Sequence, residues 1–455
     1  MAKQTTAIVL AAGRGERMKT QKPKVLHAAA GRPLIDHVLN ALSSAGVNNI
    51  RVVVGYAGDQ VRQHLWGKPG IEFFAQTTQL GTADAVKSAQ IETLAENVII
   101  CCGDTPLVSG EDFSAALHHF SKLNSDVLVV SARVKNPTGL GRIVRDGQGR
   151  IKKIVEEKDA SAIEKKINEI NTGVYVVKGE ILKKYLPLIT NDNAKKEFYL
   201  TDIIKLTLND KKKVEVLTGP ARIGVGVNNQ EDLARATRSL YNRKARELMQ
   251  LGVTIIDPNT TYIDADVTIG AETVIGQGCV ISAGTTIGVG CNIEPYCHVR
   301  ASQIGNRVEL RWGTLVDQSE IHESAVVGPY ARLRPETIVE HEAHVGNFVE
   351  LKKTRLGARA KANHLTYLGD AEIGEDTNIG CGTITCNYAV DRKKYKTKIG
   401  KNVFVGSDTQ FVAPVTVGDG AVIASGSTIT EDVPSKALAI ARSRQTTKTN
   451  YNKES

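Results

Sequence analysis

Apolar residues in the first half of the chain form two alternating patterns. Short continuous apolar runs predict buried β-strands: TTAIVLAA, NIRVVVGY, NVIICCGD, DVLVVSARV and NTGVYVV. Segments of helical periodicity lie between them. The segment PLIDHVLNALSSAG ends at Gly46 and places five apolar residues on one helical face: Leu34, Ile35, Val38, Leu39 and Leu42. This alternation predicts an α/β domain with a mostly parallel sheet covered on both faces.

From Ile269 onward the pattern changes to an aliphatic residue at every sixth position. The repeat occupies Ile269, Ile275, Ile281, Ile287, Ile293 and Val299, continues with five-residue shifts through Ile304, Leu310, Ile321 and Val327, and returns at Val345, Leu351, Ile373, Ile379, Ile399, Val405, Phe411, Val417, Ile423 and Ile429. Three six-residue faces per coil predict a parallel β-helix in which each aliphatic side chain stacks on its equivalent one coil away.

Three cysteines occupy a special place in this repeat. Cys279, Cys291 and Cys297 each stand two positions before an aliphatic residue, and side chains two apart on a strand share one side. They are therefore expected to fill the interior of the β-helix. Reactive thiols are the alternative interpretation.

A polar helical segment, NQEDLARATRSLYNRKARELMQLG, separates the two patterns. The sequence accordingly predicts an α/β domain over 1–230, a helical linker over 231–251 and a β-helix over 252–455. The last of these includes a basic C-terminal tail.

Composition narrows the class of protein. The 455 residues are 41% hydrophobic and 24% charged, no window approaches the ~18 apolar residues of a membrane span, and the first residues do not suggest a signal peptide. Seven cysteines without a C-x-x-C pair suggest neither a zinc ribbon nor a disulfide framework. We expect a reduced, cytoplasmic protein without a membrane span.

The net charge of +9 is weak evidence for a partner. The basic residues are scattered, apart from short runs such as DRKKYKTK and the tail RSRQTTKTNYNKES, and no nucleic-acid-binding motif accompanies them. Anionic small substrates explain the same excess, so no nucleic-acid partner is expected.

The segment LAAGRGERMKTQKPK is a phosphate-binding loop of neither common type. It lacks the Gly-Lys-Ser/Thr ending of a Walker loop, and Met18 stands where a dinucleotide loop has its third glycine. Gly13 and Gly15 let the backbone approach a phosphate, and Arg17 and Lys24 supply positive charge. The loop follows the first strand and Asp104 follows the strand VIICC, so both are expected in one crevice at the carboxyl ends of the strands.

These motifs resemble one family. LAAGRGERM…KPK resembles the sugar-nucleotide pyrophosphorylase signature L-A-A-G-x-G-T-R-M followed by P-K. HLTYLGDAEIG and GTITCNY resemble the acetyltransferase half of the bacterial bifunctional N-acetylglucosamine-1-phosphate uridyltransferase/glucosamine-1-phosphate N-acetyltransferase family. The resemblance covers about residues 5–445 and implies a Rossmann-like nucleotidyltransferase domain followed by a left-handed parallel β-helix.

The family acetylates glucosamine 1-phosphate with acetyl-CoA. It then transfers UMP from UTP to N-acetylglucosamine 1-phosphate, which gives UDP-N-acetylglucosamine for cell-envelope precursors and releases pyrophosphate. The resemblance therefore implies these substrates, a Mg²⁺ cofactor and a homotrimer for this chain.

The resemblance also implies roles for residues of the nucleotidyltransferase half. Arg17 and Lys24 are expected to bind phosphates, and Asp104 and Asn228 to bind Mg²⁺. The remaining contacts to UTP and UDP-N-acetylglucosamine are Leu10, Ala11, Ala12, Gly13, Gln76, Gly81, Thr82, Cys102, Gly103, Gly141, Glu156 and Asn171. Within this set, Gln76, Gly81 and Thr82 contact the uridine, and Gly141, Glu156 and Asn171 contact the amino sugar.

In the β-helix, His364 matches the general base, and Glu350 is a candidate for the carboxylate that orients it. The resemblance places glucosamine 1-phosphate on Arg334, Lys352, Tyr367 and Asn378. It places acetyl-CoA on Cys381, Asn387, Tyr388, Ser407, Ser425 and Arg442.

The sequence departs from the family at four of these positions. Glu16 replaces the usual threonine, Cys102 replaces a common tyrosine, and Cys381 and Ser425 replace alanines. A carboxylate at position 16 is repulsive to a triphosphate unless it pairs with a neighbouring arginine or points away. Main-chain contacts at positions 381 and 425 would survive the replacements.

Two other functions compete with the bifunctional interpretation. A monofunctional nucleotidyltransferase with a non-catalytic β-helix scaffold would need only the repeat, and not HLTYLGD or TITCNY. A nucleic-acid-binding protein would be indicated only by the basic charge.

Overall fold

The structure is a computed structural model that describes residues 5–449 and 451. Parts of two predictions, the absence of a signal peptide (residues 1–4) and the end of the basic tail (residues 450 and 452–455), lie outside the described residues. The chain divides into two compact units, with the boundary between Leu240 and Tyr241. None of the helices in the described ranges is long and apolar enough to cross a membrane.

Unit 1 contains the elements that sequence periodicity predicts. Its strands are β1 (Thr5–Ala11), β2 (Ala28–Ala29), β3 (Arg32–Pro33), β4 (Asn49–Val54), β5 (Ile71–Ala75), β6 (Asn97–Cys102), β7 (Val127–Arg133), β8 (Arg142–Arg145), β9 (Ile151–Val155), β10 (Glu169–Lys178) and β11 (Val214–Gly219). Its α-helices are α1 (Leu34–Ser44), α2 (Gly58–Leu65), α3 (Thr82–Ser88), α4 (Gly110–Leu123), α5 (Gly179–Tyr185), α6 (Asp202–Asn209) and α7 (Gln230–Gln250), and the unit boundary lies within α7.

Single 3₁₀ turns complete unit 1: Glu16–Met18, Lys24–Leu26, Ile91–Thr93, Glu164–Lys166, Leu186–Leu188 and Ala221–Gly224.

The main sheet is mixed and mostly parallel, as predicted, in the order β11-β7-β10-β6-β1-β4-β5. Strand β10 runs antiparallel to β6 and β7, and β8 pairs with both β9 and β10. Strand β1 is central and pairs in parallel with β4 and β6, with Leu10 opposite Cys102. The ends of β1 and β6 therefore reach the same edge of the sheet.

Helices cover both faces of this sheet. Residues of α1 and α4, among them Ile35, Val38 and Phe113, form one core, and residues of α3, α5 and α6 form the other. All five residues predicted on the apolar face of α1 are buried. Burial of this stripe on the sheet is what stabilises α1, because an isolated helix of this length is marginal in water.

Unit 2 is a β-helix of three parallel sheets, in which each strand pairs with the third strand after it, except that Val422–Ile423 pairs with Leu438–Ala439, the second strand after it. The first face contains Thr254–Ile255, Val274–Ile275, Asn292–Ile293, Glu309–Leu310, Val326–Val327, His344–Asn347, Lys361–His364, Asn378–Ile379, Phe404–Val405, Val422–Ile423 and Leu438–Ala439. The second face contains Tyr262–Ile263, Val280–Ile281, His298–Arg300, Leu315–Asp317, Arg332–Leu333, Glu350–Lys352, Tyr367–Gly369, Ile384–Cys386, Gln410–Val412 and Thr428–Ile429.

The third face contains Thr268–Ile269, Thr286–Ile287, Gln303–Ile304, Ser319–Ile321, Thr337–Val339, Arg355–Leu356, Ala371–Ile373, Thr397–Ile399 and Val415–Val417. The predicted repeat residues are all buried in one core. The sequence pattern suggested interruptions, but Val316, Leu333, Val339, Leu356, Ala362 and Leu368 fill them. The register therefore continues where five-residue shifts hide it in the sequence.

In several coils the interior position two before an aliphatic residue holds a hydroxyl or thiol that bonds a neighbouring coil. The Thr273 hydroxyl donates to the carbonyl of Gly288 at 2.9 Å, and the Thr354 hydroxyl donates to that of Leu368 at 2.9 Å. The thiols of the buried Cys279 and Cys291 donate in the same way to Glu294 and Gly305, at 3.2 and 3.1 Å. These cysteines thus replace threonine in a structural role.

One insertion interrupts the coils. Thr385 on the second face is followed by the segment Asn387–Lys396, and the chain then re-enters the third face at Thr397–Ile399. Ile373 pairs with Ile399 and Thr385 lies beside Phe411, so the ladder continues past the insertion.

Because a buried thiolate is disfavoured, burial raises the pKa of Cys291. We expect a thiol reagent at neutral pH to leave Cys279, Cys291 and Cys297 unmodified in the native protein and to modify all three in denaturant, as measured by peptide mass spectrometry. The denatured sample is the control for reagent activity. Rapid native labelling of any of the three would restore the reactive-thiol interpretation.

Candidate active sites

The glycine loop in unit 1 begins where β1 ends. Gly15 adopts a φ of 63°, and a Cβ atom there would lie 2.9 Å from the Cβ of Lys24, so the position requires glycine. The next turn buries Met18, which is 1% exposed, and presents Arg17 at the surface. The side chain that breaks the dinucleotide motif is thus the anchor of the loop.

The two cations and the two candidate metal ligands meet at this loop. The Lys24 ammonium hydrogen-bonds the Asp104 carboxylate and lies 3.4 Å from Oδ1 of Asn228, while Arg17 donates to the same oxygen at 2.9 Å. The amide of Val227 donates to the carbonyl of Asp104 at 2.9 Å, which joins the chain segments of both oxygen ligands.

The donor set suits Mg²⁺. Oxygens of Asp104 and Asn228 already converge on one cation, the Lys24 ammonium. Within residues 5–449 and 451 there is no cluster of three or more His, Cys, Asp and Glu side chains that could hold a metal. A pair of oxygen ligands is what Mg²⁺ needs when phosphate oxygens and water complete its shell.

The charge of Glu16 is met by Arg14. Their side chains lie 3.6 Å apart and are both largely exposed, and the Arg14 guanidinium sits over the ring of Tyr56 at 5.6 Å. The carboxylate that departs from the family pattern therefore has an arginine partner, as one of the two predicted solutions requires.

The predicted uridine segment is held rigidly. Gln76 is buried, and its amide nitrogen donates to Gly81 at 3.1 Å and to Asp84 at 2.7 Å. Gly81 has a φ of 125°, and a Cβ there would lie 2.5 Å from the carbonyl oxygen of Phe198. The Thr82 hydroxyl accepts from the amide of Leu200 at 2.9 Å.

The three predicted amino-sugar residues also come together. The amide of Asn171 donates to the carbonyl of Gly141 at 2.9 Å, and a Cβ on Gly141 would lie 3.3 Å from Oε1 of Glu156. Burial raises the pKa of Glu156, which also contacts the hydroxyl of Thr201 at 3.4 Å. Cys102 lies beside this group, since a Cβ on Gly173 would come within 3.3 Å of its sulfur.

A cavity of about 670 Å³ joins the phosphate loop to the sugar residues. Its lining includes Arg17, Lys24, Glu156 and Asn228, all predicted as site residues. The other predicted residues, Leu10, Ala11, Ala12, Gly13 and Gly103, form the ends of β1 and β6 beside it, where the amide of Gly103 donates to Leu10 at 2.9 Å. Lys158 and Lys195 also line the cavity, and sequence reasoning missed both.

In unit 2 the candidate base lies in a column of equivalent positions. Val345, Ala362, Ile379, Val405 and Ile423 pair in register on the first face. The residues two positions later, at the corner between the first and second faces, are Asn347, His364, Cys381, Ser407 and Ser425. Three predicted acetyl-CoA contacts thus stand above His364, and Arg442 lies beside the end of the column, because a Cβ on Gly426, the residue after Ser425, would lie 3.6 Å from its Cδ.

The imidazole of His364 is oriented by an amide. Its Nδ1 lies 2.9 Å from Oδ1 of Asn347, and because an amide oxygen only accepts, Nδ1 donates and Nε2 keeps a free lone pair. The structure differs from the expectation at Glu350, whose carboxylate accepts from Arg334 at 2.8 Å. Aligning HVGN with KANH, one coil apart, is the signal that finds Asn347.

The predicted phosphate residues lie on the second face. Arg334 and Lys352 follow paired strand positions, and Tyr367 pairs with Glu350 one coil on. The pKa of Lys352 is lowered, first by its side-chain contact with Lys394 and then by desolvation and the charge of Arg334. Two ammonium groups in contact, with the charge of a guanidinium nearby, form a site for an anion.

Lys394 belongs to the Asn387–Lys396 insertion, and the basic run DRKKYKTK that contains it is the sequence signal that could have found it. Asn387 is buried and hydrogen-bonds Asp370, whereas Tyr388 at the start of the same insertion is exposed. Asn378 lies apart from the phosphate residues, on the first face, where it pairs with Lys361 and Phe404.

Comparison with known proteins assigns both units. The family described as Nucleotidyl transferase matches residues 6–222, and the family described as Bacterial transferase hexapeptide (six repeats) matches residues 396–431. A bifunctional protein GlmU from Bdellovibrio bacteriovorus is 54% identical over 98% of this chain and 97% of its own length.

Bifunctional GlmU proteins from Trichlorobacter lovleyi and Carboxydothermus hydrogenoformans are 45% and 46% identical, each over 98% of this chain and 98% and 99% of their own lengths. The chain therefore belongs to the bifunctional GlmU family, as an enzyme that joins a uridyltransferase domain to a hexapeptide-repeat acetyltransferase domain.

Proposed function

We propose that unit 2 acetylates glucosamine 1-phosphate with acetyl-CoA and that unit 1 transfers UMP from UTP to the product, N-acetylglucosamine 1-phosphate. The observation that carries this proposal in unit 1 is the convergence of Arg17, Lys24, Asp104 and Asn228 at the glycine loop. In this sequence of steps UDP-N-acetylglucosamine and pyrophosphate leave the enzyme in the cytoplasm. The UDP-N-acetylglucosamine then serves as material for cell-envelope synthesis.

Uridylyl transfer must overcome the electrostatic repulsion between its two anionic substrates. An oxygen of the sugar phosphate attacks the α-phosphorus of UTP, and pyrophosphate leaves, so two anions must be held together. Arg17, Lys24 and the backbone amides around Gly13 offset this charge. Asp104 and Asn228 would hold a Mg²⁺ ion, which supplies further positive charge to the phosphates when bound.

Lys24 has two sets of partners in this scheme. In the structure its ammonium is held by Asp104 and Asn228, the same oxygens assigned to the metal. We propose that phosphate oxygens replace them as partners of Lys24 when UTP enters. The ammonium thereby keeps an anionic neighbour before and after binding.

The remaining contacts select the two organic groups. The amide nitrogen of Gln76 is committed inside the protein, so its carbonyl oxygen is the group to accept a hydrogen bond from the N–H of uracil, beside Gly81 and Thr82. Glu156, Asn171 and the close-packed Gly141 would bind the amino sugar.

Acetyl transfer needs a neutral amine. We propose that Nε2 of His364 takes a proton from the amine of glucosamine 1-phosphate as the amine nitrogen attacks the thioester carbonyl. The carbon–sulfur bond then breaks, and CoA leaves as a thiol after the imidazolium returns this proton to the sulfur. Asn347 holds the imidazole in the tautomer that this requires. Arg334, Lys352 and Lys394 would hold the phosphate, with Tyr367 and Asn378 on the sugar.

We propose that acetyl-CoA follows the column of Cys381, Ser407 and Ser425, with Arg442 beside the end of the column and the thioester near His364. Asn387 and Tyr388 are proposed as further contacts to acetyl-CoA. Main-chain groups of the column are bonded between coils, as in the 2.7 Å bond from the Asp408 amide to the Cys381 carbonyl. Cys381 is assigned no covalent role.

The same corner supports a homotrimer. Below His364 it carries exposed aromatic residues in contact with each other: Tyr296 with Trp312 at 5.2 Å and Tyr330 with Phe348 at 5.8 Å between ring centres. Each of the four is at least 42% exposed in the single chain. Contiguous exposed aromatics of this kind mark protein interfaces, and we propose that further copies of the chain cover them.

We expect the protein supplied with glucosamine 1-phosphate, acetyl-CoA, UTP and Mg²⁺ to produce UDP-N-acetylglucosamine by mass spectrometry. In Lys24→Ala or Asp104→Ala, uridylyl transfer should fall by roughly 100-fold because charge stabilisation is lost, and N-acetylglucosamine 1-phosphate should accumulate. In His364→Ala, acetylation should fall by roughly 100-fold.

Each set of variants serves as the folding control for the other. His364→Ala should still make UDP-N-acetylglucosamine when N-acetylglucosamine 1-phosphate is supplied. Unchanged acetylation in His364→Ala would favour the monofunctional alternative, and retained uridylyl transfer in Asp104→Ala would remove the proposed metal role.

The amide of Asn347 generates a pH prediction. In Asn347→Asp the new carboxylate stabilises the protonated imidazole, so the acidic limb of the acetylation pH–rate profile should move up by on the order of one pH unit. Asn347→Ala should lower kcat about tenfold without that shift. Asn292→Asp, an exposed position lower on the same face, is the control, and equal profiles for Asn347→Asp and wild type would contradict the role.

Disruption of the aromatic corner should separate the copies. We expect Phe348→Glu to reduce the mass measured by light scattering from trimer to monomer and to abolish acetylation while uridylyl transfer continues. Ile163→Glu, at an apolar residue that is 81% exposed in unit 1, should remain a trimer. A wild-type protein that is monomeric at micromolar concentration would refute the proposed assembly.

A further inference from the structure

One segment of unit 1 connects the residues proposed to bind the base with those proposed to bind the sugar. We call Asn193–Thr201 the strap. The amide of its Phe198 donates to Leu80 at 2.8 Å, and the Phe198 carbonyl accepts from Ala83 at 2.9 Å. At the end of the strap, the hydroxyl of Thr201 contacts Glu156 at 3.4 Å.

The first turn of the strap is fixed by side-chain caps. Oδ1 of Asn193 accepts from the amides of Lys195 and Glu197, each at 3.2 Å. The amide of Ala194 donates to Oδ1 of Asp159 at 3.0 Å, in the loop that follows β9 and Glu156. The backbone at Lys195 is therefore held on both sides, although its side chain is exposed.

Lys195 lines the reaction cavity, although it belongs to a chain segment far from the glycine loop in sequence. It lines the 670 Å³ cavity together with Gly15, Arg17, Lys24 and Glu156. The neighbouring Lys196 is exposed, lies 3.8 Å from Asp192 and is not part of the cavity lining. Two adjacent lysines thus differ in environment, which supplies a matched pair for experiment.

The charges in the cavity leave Lys195 suited to an anion. The carboxylate of Glu157 is paired with Arg142 at 2.5 Å, and the Lys24 ammonium is held by Asp104. Across the described part of the chain, Lys195 makes no ion pair. An ammonium on a fixed backbone, facing a cavity that must admit a phosphate monoester, is a point-charge phosphate ligand.

We propose that Lys195 binds the phosphate of the incoming sugar 1-phosphate, and so acts as a binding residue for the acceptor rather than for UTP. This inference rests on the uridylyl transfer proposed above. The strap would then tie acceptor binding to the segment Leu80–Ala83 that holds the uridine.

A purely indirect role through Glu156 makes a different prediction. The positive charge of Lys195 lowers the pKa of Glu156 against the larger raising effect of burial. Loss of that charge would raise the pKa of Glu156 further, so the carboxylate would become protonated at a higher pH. Such an indirect effect would depend on pH, whereas a direct contact between Lys195 and the phosphate would raise the acceptor KM throughout the pH range of the assay.

The test compares three variants at pH 8 by steady-state uridylyl transfer. Lys195→Met, which keeps the length and removes the charge, should raise KM for N-acetylglucosamine 1-phosphate about tenfold, with KM for UTP and kcat within about twofold of wild type. Lys195→Arg should restore KM to within about threefold. Lys196→Met should match wild type, and acetylation by unit 2 should be unchanged in all three.

Each outcome decides the inference. An unchanged acceptor KM in Lys195→Met, an equal rise in both KM values, or an effect that disappears above pH 8 would overturn it while uridylyl transfer itself stands. A wild-type protein that forms no UDP-N-acetylglucosamine would instead overturn the proposed function and this inference together.

Discussion

Parallel strand pairing is the constraint on which both candidate sites depend. In a parallel ladder, equivalent residues end at the same edge or stack at the same corner. In unit 1 the pairing of Leu10 with Cys102 brings the glycine loop and Asp104 together, although they are far apart in sequence. In unit 2 the pairing of Val345, Ala362 and Ile379 stacks Asn347, His364 and Cys381. One type of hydrogen bonding therefore positions two unrelated chemistries.

A second theme is the control of charge before substrates arrive. Three of the predicted cations already bond an oxygen: Lys24 bonds Asp104, Arg17 bonds Asn228 and Arg334 bonds Glu350. These partners orient the cations at little cost, because a partly exposed ion pair is weak and exchanges readily for a more highly charged phosphate. Lys352 differs from these three, because its pKa is lowered, first by its contact with the Lys394 side chain, and an anion between the two ammonium groups would offset their repulsion.

Much of this arrangement could be predicted from local sequence pattern, since burial on one or two faces leaves a clear period. The apolar face of α1, the buried strands of unit 1 and the stacked aliphatics of unit 2 were predicted in this way. The antiparallel pairing of β10 and the β8–β9 pair were not, because an apolar run carries no direction.

Residues whose contacts join distant parts of the chain were also not predicted from the sequence. Asn347 is separated from His364 by one irregular coil, and Lys195 reaches its cavity only because Asn193 and Asp159 fix the turn around it. The negative charge of Glu350 made it the predicted partner of His364. In the structure its carboxylate binds Arg334, because a guanidinium is a stronger partner than an exposed imidazole, and the amide of Asn347 contacts His364 instead. These side-chain partners depend on how neighbouring coils pack, which the local sequence pattern does not indicate.

The Asn387–Lys396 insertion has a consequence for how such a protein changes over evolution. Because the ladder closes beneath it, with Ile373 opposite Ile399, this segment can vary in length and composition while the stacked core stays in register. Asn387, Tyr388 and Lys394, which are proposed above as substrate contacts of unit 2, all belong to this segment. A change of sequence in this segment could therefore alter the substrate preference of unit 2 while the stacked core, and with it the thermal stability, is kept.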